Sequence, residues 1–335
     1  MQRLRFVSLL AFVLALAGPE VRAAEYVLPQ DHDVVGEVQR ITARHEDTFV
    51  RIARRYGVGF EELKLANPGV DAWLPGEGTE IVVPTRFVLP RAPREGIVVN
   101  VAELRLYYYP KDEPGKVYTY PISIGRMDWS TPLGRTTITA KTENPSWYPP
   151  ESIRKEHAER GDILPRVVPP GPDNPLGKHA MRLGLPGYLI HGTNRPSGVG
   201  MRVTHGCIRM FPEDIEALFA RVPVGTSVHI VNQPFKLGWD ETGALVLEVH
   251  PPLAEELEAG MWTLTDLTRE IVAVTEEGFT QVDWDEAESV LRNPLGVPFP
   301  VSPPVTRDEP ADDDTLLEAA SHDSPAPASL HADEA

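Results

Sequence analysis

A mostly β fold with short helices, preceded by a small βααβ unit, is predicted by three features of the sequence. Val98–Val101, Leu104–Tyr109 and Val117–Ile124 are short apolar and aromatic runs bounded by turn residues, which is the mark of strands rather than helices. Stretches of helical periodicity are few and brief. Turn formers are abundant, with 34 prolines and 26 glycines in 335 residues, and they suit many tight connections and irregular loops.

Taken in order, the chain opens with Arg3 and Arg5, an apolar run from Phe6 to Ala17, then Val21-Arg22-Ala23. That layout predicts a secretory signal peptide over residues 1–23, cleaved after Ala23. The apolar run is short for a full membrane span, so no integral span is expected after cleavage. Residues 41–85 read as a compact unit. Asp47 is the expected N-cap of a helix through Val50, Ile52, Ala53 and Tyr56, which Gly57 ends. A second helix starts at Phe60 and stops near Asn67-Pro68-Gly69, followed by a Leu74-Pro75-Gly76 turn and a strand over Thr79–Val83. Phe87–Arg94, with two prolines and two arginines, reads as an interdomain linker.

A second domain is expected over residues 94–232. Its strands are those named above with Thr136–Ala140, Ala180–Leu183, Tyr188–Ile190 and Val228–Val231. Between them, residues 143–175 form a long Pro- and Gly-rich loop with room for one short helix over Ile153–Arg160; loops of that length are often functional. An amphipathic helix is expected from Pro212 to about Ala220, with acids in its first turn. Residues 235–300 read as a small appendage: a hairpin turn at Trp239–Gly243, a strand over Ala244–Val249, and helices over Thr265–Thr275 and Trp284–Leu291. Residues 305–335 read as a disordered acidic tail, since from Arg307 onward nine Asp or Glu residues face one Arg.

The formal charge of -17 and isoelectric point near 5.0 argue against a nucleic-acid partner, which needs a basic stripe. There is one cysteine, Cys207. An exported chain with one thiol forms no internal disulfide, and a free thiol in an oxidising compartment is a liability unless it has a task.

That thiol lies in His191–Met210, HGTNRPSGVGMRVTHGCIRM. A thiol is a good nucleophile only as thiolate, which a nearby imidazole produces by taking the proton. His205 stands two residues before Cys207, and His191 ends an apolar strand-like run. A lone cysteine is more often a small buried hydrophobe, but the two histidines and the turn-permitting Gly206 favour a nucleophile. A zinc site of His2Cys type is the other sharp option. With no second cysteine and no compact histidine repeat, neither a metal nor a cofactor is expected. The residues alone leave the base open between His191 and His205. The backbone N–H groups of Gly206 and Cys207 are candidates for an oxyanion hole. Arg209 suits either a substrate carboxylate or a brace for the loop.

The motif His191-Gly192-Thr193 followed by Thr204-His205-Gly206-Cys207-Ile208-Arg209 resembles the signature of the L,D-transpeptidases, bacterial cysteine enzymes that cross-link or decorate peptidoglycan. The resemblance runs from about Gly96 to Pro234 through NVAELRLYYYP, YPISIGR, STPLG and NPLGKHAMRLG. RIARRYGV, EELKLANPGV and the Leu-Pro-Gly turn before IVVP likewise resemble a LysM carbohydrate-binding module, although His45-Glu46 replaces the usual Pro-Gly before Asp-Thr. The similarity is greatest to periplasmic members that carry LysM and attach a small outer-membrane lipoprotein to the wall.

That resemblance implies a catalytic β-sandwich behind a βααβ LysM module. It implies His191 as general base and His205 in a supporting role near the oxyanion. Residues 143–175 become the substrate lid, and Trp147, Tyr148, Thr193 and Asn194 the cleft. The implied partners are peptidoglycan and a small outer-membrane lipoprotein, in the periplasm of a Gram-negative bacterium. The implied acyl acceptor is the lipoprotein's C-terminal lysine, ahead of a diaminopimelate amine (3-3 cross-linking) or water.

Overall fold

In the computed structural model, residues 24–258, 262–275 and 280–305 are described. The expected signal peptide at 1–23 and the acidic tail from 306 lie outside the described residues. The chain begins with β1 (Ala24–Val27) and β2 (Val34–Gly36), then β3 (Gln39–Thr42), α1 (Phe49–Tyr56), α2 (Phe60–Leu65) and β4 (Glu80–Val83). β3 and β4 pair antiparallel, Ile41 opposite Ile81. Phe49, Ile52 and Ala53 of α1 face inward with Leu63 of α2 onto Ile81 and Val83, giving this small unit its own buried core. Thr48, not Asp47, caps α1: its Oγ1 accepts the Arg51 N–H at 3.3 Å. Asp47 is buried beneath the cap, accepting the Arg44 N–H at 2.9 Å and pairing with Arg55 at 2.5 Å. Gly57 ends α1 with φ 65°, the left-handed geometry that glycine adopts without strain.

The stretch Phe87–Arg94 is not a free linker. It begins inside β5 (Arg86–Val88), which pairs antiparallel with β2. Phe87, Val88 and Leu89 are buried, and Phe87 packs edge-on against Tyr26 and Tyr107. Two prolines and two arginines masked an apolar triplet whose burial outweighs their loop propensity.

The main domain is built from β6 (Gly96–Asn100), β7 (Arg105–Tyr109), β8 (Lys116–Pro121), β9 (Ile124–Gly125), β10 (Gly134–Glu143), β11 (His179–Leu183), β12 (Leu189–His191), β13 (Arg202–Thr204), β14 (Ile208–Arg209) and β15 (Ser227–Val231). Two helices join them, α3 (Glu151–Glu159) and α4 (Pro212–Arg221). The expected two-sheet sandwich resolves into one nine-stranded sheet, ordered β1-β8-β7-β6-β15-β10-β11-β12-β14. A register shift between Ile138 and Ala140 marks β10, the long strand joining the halves; such irregularities sharpen local twist and bend. Ile97, Leu106 and Tyr120 from one half share a single buried core with Met181, Ile190 and Ile208 from the other. The sheet therefore curls around its own core, and α4 adds Ile215 and Leu218 to it. The mostly β character stands.

Past β15 come β16 (Phe235–Trp239), β17 (Leu245–Val249), α5 (Ala254–Glu258), α6 (Leu264–Thr275), α7 (Trp284–Arg292) and β18 (Phe299–Pro300). The three strands form a sheet of their own, covered by Leu267, Ile271, Val290 and Leu291. A buried polar knot fixes it to the rest of the chain. Lys236 of β16 reaches Glu103 before β7, and Glu248 of β17 at 2.8 Å, while Glu248 also accepts from His250 and from the Val88 N–H, both at 2.6 Å. Such a knot is costly to break from one side only, because that strands a buried charge. Among the described residues no helix is long and apolar enough to cross a membrane.

Candidate active site

β12 and β14 are neighbouring parallel strands, with Ile190 opposite Ile208 and His191 opposite Arg209. This register sets the buried His191 on the strand beside the one that follows Cys207, so the two residues, sixteen apart in sequence, belong to neighbouring strands at one edge of the sheet. Gly206 shapes the turn before the thiol. Its φ is 98°, and a β-carbon there would stand 2.8 Å from Tyr188 Cε1, so a larger residue is excluded on both counts. Thr204 staples the same turn: its Oγ1 donates to the Cys207 carbonyl at 2.7 Å and accepts the Gly206 N–H at 3.2 Å. Thr131 Oγ1 donates to the Gly206 carbonyl at 2.9 Å. Both backbone groups of Gly206 are thus engaged, and its N–H is not a free oxyanion donor as the sequence led us to expect. The Cys207 N–H has no partner among the described residues.

Cys207 is half-buried, its Sγ 3.7 Å from the Gly187 carbonyl. Burial pushes the thiol up, against smaller opposing pulls from the Leu189 backbone and the Arg209 charge. His191 is buried, and its Nδ1 lies 2.6 Å from the Gly192 carbonyl. A carbonyl only accepts, so Nδ1 carries the hydrogen and Nε2 keeps its lone pair. Burial, with the Arg209 charge added, lowers the His191 pKa to about 3. In the resting site thiol and imidazole are both neutral.

His205 occupies a different setting. Its Nε2 lies 2.8 Å from Glu156 Oε2, and its ring stands edge-on to Trp129 at 5.2 Å. Glu156 comes from α3 in the long loop and also takes Arg126 at 2.5 Å and Arg160 at 2.8 Å. Those hydrogen bonds, from Arg126 first and His205 next, hold its carboxyl at about 2. Sequence reasoning missed Glu156; the only signal was a charged helical stretch, RKEHAERG, in which no acid stood out. The loop is tied down internally as well: buried Asn174 donates to the Pro145 carbonyl at 2.8 Å and accepts the Leu176 N–H at 2.9 Å.

Arg209 pairs through its backbone with Ser123 in both directions, at 2.8 and 2.9 Å. Its Nε is buried without a partner, and among the described residues no carboxylate forms an ion pair with it. The remaining expected cleft residues are scattered. Thr193 is buried and caps its own turn through the Arg195 N–H at 2.9 Å, whereas Asn194 is exposed. Trp147 forms a bridge with Val168 inside the loop, and Tyr148 is 69% exposed. Neither ring stacks on the residues around Cys207.

A half-buried thiol at the edge of a curled sheet, with a neutral imidazole of fixed tautomer on the neighbouring strand, is the equipment of a cysteine acyl-transfer enzyme. The L,D-transpeptidase catalytic domain family, YkuD, matches residues 94–230. The probable L,D-transpeptidase YcfS of Escherichia coli K12 is 42% identical over 298 residues, covering 87% of this chain and 92% of that protein. The probable L,D-transpeptidase ErfK/SrfK of the same strain is 40% identical over 307 residues, covering 89% and 98%. Among solved structures, the catalytic domain of the E. faecium L,D-transpeptidase aligns at 24% identity and a TM-score of 0.33, over 42% of this chain and all of that one. The chain belongs to the L,D-transpeptidase family, and it is a cysteine acyltransferase.

Proposed function

We propose that the protein acts on peptidoglycan stem tetrapeptides in the periplasm of a Gram-negative bacterium, with Cys207 as nucleophile and His191 as general base. The observation that carries this assignment is the His191 Nδ1 to Gly192 carbonyl contact of 2.6 Å, which leaves Nε2 as the only basic nitrogen of that ring. Cys207 Sγ attacks the carbonyl before the terminal D-Ala as its proton passes to His191 Nε2. The same proton goes to the departing D-Ala amine as the C–N bond breaks, leaving a thioester. An acceptor amine then attacks the thioester, loses a proton to His191, and the proton returns to sulfur. With both groups neutral at rest, proton transfer accompanies attack rather than preceding it.

Arg209, a cation without a counter-ion among the described residues, is suited to a carboxylate of the donor stem. Its charge also depresses His191, so a bound carboxylate that offsets this charge strengthens the base when substrate arrives. The Cys207 N–H serves the oxyanion, and His205 supports that turn under the lid. The βααβ unit at 41–85 serves as a LysM-type wall-binding module, supported by Trp73 and Leu74, which lie 64% and 73% exposed before β4. The acceptor is the C-terminal lysine of a small outer-membrane lipoprotein.

The test is D-Ala release from purified tetrapeptide muropeptides. Cys207→Ala should abolish release and the thioester adduct seen by mass spectrometry; release persisting in that variant would overturn the reaction. A Trp73→Ala chain that sediments with sacculi as well as its parent would remove the wall-binding role.

A further inference from the structure

We propose that the N-terminal βααβ unit positions the catalytic segment Arg202–Phe211, gripping it at both ends. The proposal rests on the reaction assigned above, but what it predicts for the thiol can be read without substrate. At the leading end, the loop between His191 and Cys207 meets the entrance of α2. The Glu61 N–H donates to the Gly200 carbonyl at 3.1 Å. Gly59 and Gly200 meet backbone to backbone: a β-carbon on Gly59 would stand 3.0 Å from Gly200 Cα, and one on Gly200 would collide with Phe60 N and Gly59 Cα. The next residue, Met201, packs into the buried core of the N-terminal unit rather than that of its own domain.

At the trailing end, Arg54 of α1 makes a bidentate pair with Glu213 in the first turn of α4, at 2.6 and 2.8 Å. The same guanidinium lies 5.7 Å from the centre of the Phe211 ring. Between the two grips, the unit is anchored to the sheet by a fully buried pair. Arg105 of β7 meets Glu62 at 2.7 and 2.9 Å and donates to the Gly57 carbonyl at 3.2 Å. His205, Cys207 and Arg209 all lie inside the gripped stretch, the first two in the turn between β13 and β14 and the third on β14, strands only three and two residues long. Strands that short hold little register by themselves, so the frame must come from outside. A module acting only as a tether would need none of these contacts.

The experiment uses the full chain. Arg54→Ala removes the trailing grip, and Gly59→Val presses on Gly200 from the N-terminal side; neither residue touches substrate or Cys207. Both should lower kcat for D-Ala release about tenfold or more, with KM nearly unchanged, since small misplacements of reacting groups act on the chemical step. The rate of Cys207 alkylation by iodoacetamide should change with it, while sedimentation with sacculi stays as in the parent. The exchange Arg54→Glu with Glu213→Arg should restore both rates. A fall in Tm with unchanged kcat and alkylation would overturn the proposal, leaving the contact as stability alone. So would an exchange variant that recovers Tm but neither rate. If the parent chain releases no D-Ala, the reaction assigned above fails, and the alkylation rates still decide the positioning.

Discussion

Glu156 Oε2 and His205 Nε2 lie 2.8 Å apart, which ties helix α3 of the long loop to the residue two before Cys207. Burial lowers the His205 pKa and the Glu156 charge opposes that shift. The carboxylate therefore keeps a partly buried imidazole closer to its ordinary basicity while orienting its ring. Glu156→Gln keeps the shape and removes the charge. The His205 pKa should fall further, as read by NMR titration of the ring, and acyl-enzyme formation should slow several-fold, with Glu156→Asp intermediate. A His205 titration identical in the parent and in Glu156→Gln would refute the coupling.

His191 should matter more. Replacing it with Gln should slow acylation by about 10²-fold or more, the usual scale for a general base, and His205→Gln should cost less. With its pKa lowered to about 3, His191 stays neutral through mildly acidic solution. The acid limb of kcat/KM should accordingly appear well below the ordinary histidine range. Arg209→Gln removes a charge that depresses His191, so the limb should move up in pH while KM for the donor rises. A limb that stays in place would show that the two residues do not communicate.

Stability should carry two opposing pH terms. The His191 pKa falls on folding, so its contribution is present above pH 6.5 and lost as pH drops toward 3. Asp214 behaves oppositely: burial first, then Glu213, raises its pKa from 3.8 to about 7, and its Oδ2 has no partner among the described residues. Its contribution is present below 3.8 and lost as pH rises through 7. Ionising so buried a carboxyl costs on the order of 4 kcal/mol. Asp214→Asn should therefore raise Tm by several degrees at pH 8, by less at pH 5, and leave it nearly unchanged below pH 3.8. Equal Tm differences at pH 8 and pH 5 would mean that Asp214 does not titrate on folding.

Much of this was legible in the sequence, and for local reasons. Strands such as Arg105–Tyr109 and Leu245–Val249 declare themselves by composition, and Gly57 ends α1 where expected, although the cap at its other end is Thr48 rather than Asp47. Cys207 stood out because it is the one thiol of the chain, while the residues alone left the base open between His191 and His205. Whatever depends on distant partners was not visible. Glu156 acquires its role only by meeting His205 across 49 residues, and Arg54 by meeting Glu213 across 159. Gly206 was misjudged as an oxyanion donor because the Thr204 hydroxyl that occupies its N–H depends on how the turn closes.

The acceptor decides what the enzyme builds. In the reaction proposed above, a thioester at Cys207 would partition among water, a diaminopimelate amine and a lysine amine according to which of them reaches its carbonyl. Helix α3 is held to His205 by Glu156, and the loop around it is organised internally by Asn174. Both amines are cationic, and a chain of net charge -17 draws either one, so charge does not separate them. The preference for lysine comes from the resemblance to lipoprotein-attaching enzymes, which extends through the N-terminal unit and residues 235–300. The enzyme, tetrapeptide muropeptides and both acceptors at equal concentration should give a lipoprotein-lysine adduct to tripeptide as the main product by mass spectrometry. Dimers joined through diaminopimelate, without that adduct, would make the protein a cross-linking enzyme. Free tripeptide alone would make it a hydrolase.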